Sequence, residues 1–174
     1  MIKPRLFKHL MLVVLFAGLT VFSCESSDPD PMPTLDNFSS ISVDFVAPDG
    51  TSFTFSGVNG SDGFGNTIEL KAGVEYQVVV TVRSGSEDVT EAIKADGSNY
   101  QLFMIDSGDA DTRFQLQDDV GLNAVLGAGP VADCKLRIIL VEGLDKSGAT
   151  ARGNIRDGAG GVDRFSLEAD LEVE

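Results

Sequence analysis

From residue 40 onward, apolar side chains recur at every second position. Ile41, Val43 and Phe45 alternate with Ser42 and Asp44, a Pro48-Asp49-Gly50 turn follows, and Phe53 and Phe55 then alternate with Thr54 and Ser56. That is a hairpin pattern: period two puts one face of each strand in a core, and Pro-Asp-Gly supplies the reversal. A short strand around Ile68 and Leu70 reaches Ala72-Gly73, after which Tyr76, Val78, Val80 and Val82 share one face. Val79, on the opposite face, makes the centre of this strand a candidate for burial on both sides. Asp88-Val89-Thr90-Glu91 places an acid three residues ahead of a glutamate, which predicts an N-capped short helix through about Lys94, stopped at Asp96-Gly97.

Strands are expected again at 100–105 and 112–117, separated by the turn-rich DSGDAD tract. Cys134, Leu136, Ile138 and Leu140 form one stripe; Phe165, Leu167, Ala169, Leu171 and Val173 form another. The last is backed by Ser166, Glu168, Asp170, Glu172 and Glu174, one side for a core and one for water. About eight short strands, glycine-rich connections and no long helix-period run predict an all-β fold. An antiparallel Greek-key sandwich, immunoglobulin-like, fits best, with a small barrel as the alternative. Residues 121–133 and 143–164 are expected to be long loops, beyond ordinary hairpin length.

The amino terminus has a different pattern. Lys3, Arg5 and Lys8 precede an apolar run over 10–22, the charged-then-apolar order of a secretory signal helix. A membrane-spanning helix needs about 20 apolar residues, and this run is too short. Val21-Phe22-Ser23-Cys24 resembles a lipobox, in which a small residue precedes a cysteine that receives lipid, palmitate included, and becomes the new amino terminus. Residues 1–23 then form a lipoprotein signal peptide, 24–38 a lipidated acidic tether too polar to bury apolar area, and 39–174 the sandwich domain. Acids close behind Cys24 resemble the signals that route some Gram-negative lipoproteins to the outer cell surface; a plain solvated spacer is the competing reading.

Composition narrows the chemistry. The chain has 13 Lys+Arg and 27 Asp+Glu. Three of the bases precede Cys24, so the processed chain carries 10 − 27 = −17, which disfavours nucleic acid and anionic lipid as sequence-independent partners. The one histidine, His9, falls in the signal segment. Ser-His-Asp and Cys-His mechanisms, and the commonest zinc sites, are therefore closed to the processed chain, and no motif indicates an enzyme.

Asp106, Asp109 and Asp111 around Gly108 are a hard-oxygen cluster that could hold Ca2+; the competing reading is a turn built from Asp, Ser and Gly. Asn59, Asp62 and Asn66 in the NGSDGFGN loop are a second set of candidate ligand-binding residues. Cys134 opens an apolar stripe and is expected to be a buried thiol without a disulfide partner.

The order I-E-L-K-A-G-V-E-Y-Q, then E-D-V-T-E-A-I-K-A-D, then Y-Q-L-F, resembles a family of small Gram-negative outer-membrane lipoproteins often encoded beside TonB-dependent receptors. The likeness runs from about Ile41 to Val173. It implies a lipid-anchored, non-enzymatic binding or accessory protein on the periplasmic or surface face of the outer membrane, with a TonB-dependent receptor as partner. Members carry a histidine where this chain has Tyr100, which makes Tyr100 a candidate ligand contact and removes a histidine-based metal role. The two-lobed type 1 periplasmic binding fold, a label such chains sometimes carry, needs far more residues and alternating helices. The alternative function is a structural or adhesive surface module with no small-molecule ligand.

Overall fold

Alternation decides the architecture, because each strand with one greasy face must find another sheet to cover it. A computed structural model describes residue 35 and residues 37–61, 67–108, 110–146 and 160–174. The chain divides into two units, Met1–Met32 and Pro33–Glu174, and every described residue belongs to the second. The signal segment, Cys24, Asp62, Asn66 and Asp109 lie outside the described residues.

The strands are β1 (Ser40–Val46), β2 (Ser52–Val58), β3 (Thr67–Leu70), β4 (Glu75–Ser84), β5 (Glu87–Asp88), β6 (Tyr100–Asp106), β7 (Arg113–Leu116), β8 (Asn123–Gly127), β9 (Ala132–Glu142) and β10 (Val162–Val173). One helix, α1 (Thr90–Ala95), follows β5. Sheet A has the order β2-β1-β4-β8-β7, with β5 on the end of β4; sheet B has the order β3-β10-β9-β6. Two separate sheets make this a sandwich rather than a small barrel. The antiparallel expectation holds at every pair except β3 with β10, which run parallel from Thr67–Asp170 to Leu70–Val173. After β3 the chain passes to the other sheet instead of folding back as a hairpin, which frees β3 to lie beside the last strand.

The inner faces interlock as one core. Val43, Phe45, Val78, Val80 and Val82 of sheet A meet Leu136, Ile138, Leu140, Leu167, Ala169 and Leu171 of sheet B, all at most 1% exposed. At Gly57 of β2 the layers come close enough that a Cβ there would run into the Cδ methyls of Leu167. Phe45 stacks on Phe53 at 4.8 Å, and Tyr76 meets both rings edge-on. A smaller apolar cluster of Phe103, Ile139, Val141 and Leu144 forms on the far side of sheet B.

Three local expectations need correction. Val79 is 44% exposed, because among the described residues nothing covers the outer face of sheet A. The expected loop over 121–133 contains β8, whose small apolar alternation of Ala124 and Leu126, continued by Leu122 and Ala128, is buried. The helix forms where expected but is not capped as expected. Its N-cap is Val89, the Asp88 carboxylate instead takes the Thr90 N–H at 2.9 Å, and Glu91 pairs with Lys94 at 2.8 Å rather than reaching back.

Candidate functional site

Each predicted site residue can be followed to its place. Asp106 ends β6, and its carboxylate accepts the Thr112 backbone N–H at 2.9 Å, the Thr112 hydroxyl, and the Gly108 N–H at 3.4 Å. Thr112 is buried, so this ties the start and end of the DSGDAD loop together. Asp111 turns away. Its φ of 43° is the one positive non-glycine φ among the described residues, and its carboxylate lies 3.7 Å from the Arg113 guanidinium. Aspartate tolerates this conformation better than most residues. Among the described residues no three His, Cys, Asp or Glu side chains converge as a metal site.

Asn59 joins the two layers. Its amide nitrogen donates to Phe38 O at 3.1 Å and Arg164 O at 3.2 Å, and its amide oxygen accepts the Ser166 N–H at 3.1 Å. Tyr100 is 2% exposed, edge-on to Phe38 at 6.0 Å, with its hydroxyl hydrogen-bonded to Glu142. Burial first, and the Glu142 charge second, push its pKa up to about 12. Glu142 is held in turn by Arg164 at 2.8 Å. Cys134 is free and half-buried, its thiol pKa raised by burial and then by the Asp106 charge.

Sequence reasoning passed over three residues. Asp118 accepts five hydrogen bonds: the N–H groups of Val120 at 3.1 Å, Leu122 at 3.0 Å and Asn123 at 2.8 Å, the Gly121 N–H, and the Asn123 amide at 2.9 Å. Lys146 aims its ammonium at the carbonyls of Gly97, Tyr100 and Asp119. Burial lowers its pKa, while Asp119 and Asp118 pull the other way. Arg113 is the third. A carboxylate followed two to five residues later by Val-Gly-Leu-Asn is a legible turn signal for Asp118; nothing in the sequence places Lys146 against β6.

The described residues line an open cleft of about 580 Å³ where the β3–β4 turn meets the β8–β9 loop. Its walls are residues 72–75 and 127–130, with Asp111 and Arg113 along a third side. Gly73 N–H reaches Ala128 O at 3.0 Å, and Ala128 N–H reaches Val74 O at 2.9 Å, which fixes the two turns together. Gly129 sits so close to Ala110 that a Cβ there would overlap the Ala110 carbonyl. Arg113 and Asp111 are about three-quarters exposed, with Glu75 across the opening. One guanidinium and two carboxylates on a backbone-rich rim can hydrogen-bond a small polar ligand; they offer no nucleophile with a neighbouring base. No family model, no curated protein and no solved structure matches this chain.

Proposed function

We propose that the chain is a lipid-anchored, non-enzymatic binding or accessory protein of the outer membrane, held by Cys24 and its acidic tether, serving a TonB-dependent transporter. The observation that carries the binding part is the cleft between the β3–β4 turn and the β8–β9 loop, where Arg113, Asp111 and Glu75 give an open, solvent-facing hollow its own polar chemistry. The anchor rests on the sequence at 10–24; among the described residues no helix is long and apolar enough to cross a membrane.

Two experiments test the halves separately. Labelled palmitate should enter the full-length chain and be lost in Cys24→Ser; equal labelling of both removes the anchor. Native mass spectrometry with elemental analysis of the full-length protein extracted in mild detergent should find a bound small species that Arg113→Ala releases.

A second reading has one observation in its favour. Asp106, Asn59 and Tyr100, three of the four described ligand candidates, spend their polar atoms inside the fold, and only Asp111 stays exposed. That suits a structural or adhesive module without a ligand, and a clean native mass spectrum for both wild type and Arg113→Ala would establish it over the first.

A further inference from the structure

Sheets end in edge strands, whose outward N–H and C=O groups invite pairing, and folded proteins blunt them with charge, proline, bulges, brevity or cover. Three of the four edges here are blunted. β7 and β3 are four residues long and carry Arg113 and Glu69. The outer side of β6 is covered, with Leu102 N–H bonded to Val120 O at 2.6 Å. Among the described residues, β2 has none of these devices. Its sequence, Ser-Phe-Thr-Phe-Ser-Gly-Val, holds no charge and no proline, and it pairs with β1 over seven consecutive positions without a register shift.

The hydrogen-bond phase of this hairpin shows which groups face outward. Ala47 N–H bonds Thr51 O at 2.8 Å, and Asn59 N–H bonds Ser39 O at 2.9 Å. Bonded and non-bonded pairs alternate in an antiparallel ladder, so 47/51, 45/53, 43/55, 41/57 and 39/59 are the bonded pairs. The backbone groups of Ser52, Thr54 and Ser56 therefore point away from β1, and among the described residues none of them takes part in a backbone bond elsewhere.

Ser52-Phe53-Thr54-Phe55-Ser56 reads the same in both directions. We infer that β2 is the contact by which two copies of this chain pair, antiparallel, about a two-fold axis through Thr54. A two-fold contact must be self-complementary, and this segment is. Thr54 meets Thr54 of the partner subunit, and Ser52 meets Ser56 of the partner subunit, in bonded pairs that supply about six backbone hydrogen bonds. Phe53 meets Phe55 of the partner subunit in a non-bonded pair, where side chains lie closest. Phe53 is only half-buried now, beside a small opening shared with Leu70, Lys71 and Tyr76, so it gains the cover it lacks. In a chain with a formal charge of −14, pairing through an uncharged strand brings two copies together without setting carboxylates against each other.

Cysteine crosslinking of the full-length chain in its own membrane, in a Cys134→Ala background, tests both the contact and its register. Bonded pairs stand about 5.5 Å apart at Cα, within disulfide reach. Mild oxidation should give Thr54→Cys a band at twice the monomer mass on a non-reducing gel. Ser52→Cys and Ser56→Cys together should also give it, whereas each alone should not, and Thr54→Lys added to that pair should abolish it. Val79→Cys, exposed on the face of the same sheet, measures random collision. A Thr54→Cys band no stronger than that of Val79→Cys overturns the proposal, as does Ser52→Cys alone matching the pair. The double variant decides the matter should Thr54→Cys melt below its parent.

Discussion

Replacing Asp118 with alanine tests whether one carboxylate seals the side of the sandwich. The loop it organises connects the two sheets: β4 donates Val80 N–H to Leu122 O at 2.8 Å, and β6 donates Leu102 N–H to Val120 O at 2.6 Å. Asp118 holds that loop by four backbone N–H groups and one side-chain amide. A hydrogen bond to a charged group contributes about 1.5–3 kcal/mol, but these five share two oxygens and are not additive. The carboxylate is also half-exposed, so water replaces part of what is lost. A net loss of about 2–4 kcal/mol follows, roughly 6–15 °C in Tm for a domain of this size. Asp118→Asn keeps one acceptor oxygen but turns its NH2 toward the Asn123 donors, so it should fall between wild type and alanine. Asp119→Ala, an exposed neighbour, is the control and should stay within about 0.5 kcal/mol. Urea unfolding followed by circular dichroism measures all four proteins. An Asp118→Ala stability equal to that of Asp119→Ala would refute the view that this carboxylate, rather than the apolar residues Val120 and Leu122, fixes the loop.

Tyr100 predicts an alkaline transition. Its folded pKa of about 12 lies above the usual value of 10, so folding favours the protonated phenol. The contribution is complete below pH 10, declines as pH rises from 10 to 12, and amounts to at most about 2–3 kcal/mol; Tyr100→Phe should flatten that limb of the stability profile. Gly57→Ala should cost about 1–3 kcal/mol by overpacking against Leu167, and Gly57→Ala/Leu167→Val should recover part of it; simple additivity in a double-mutant cycle would deny the contact. Calcium and magnesium at matched ionic strength should raise Tm equally, since the Asp106 carboxylate is bonded to Thr112 and Gly108 and that of Asp111 lies by Arg113; a rise specific to calcium and lost in Asp109→Asn would restore a DSGDAD calcium site.

Period two determined most of this protein. Ile41 to Phe55 and Phe165 to Val173 could be assigned to strands, and their inward residues named, because alternation is a local property that every neighbour repeats. β8 was missed, because the glycines and proline around it read as loop and outweighed the short alternation of Leu122, Ala124, Leu126 and Ala128. The site residues were legible only as types. Asp106, Asn59 and Tyr100 carry the groups a ligand would want, but whether such a group faces solvent or a neighbour more than a hundred residues away, as Asn59 faces Arg164 and Ser166, depends on how the sheets stack. Sequence order likewise placed β3 before a turn into β4, and stacking moved it beside β10 in the other sheet. Local alternation fixes which face of a strand is apolar; only the packing of one layer on the other decides which polar groups remain free to do chemistry.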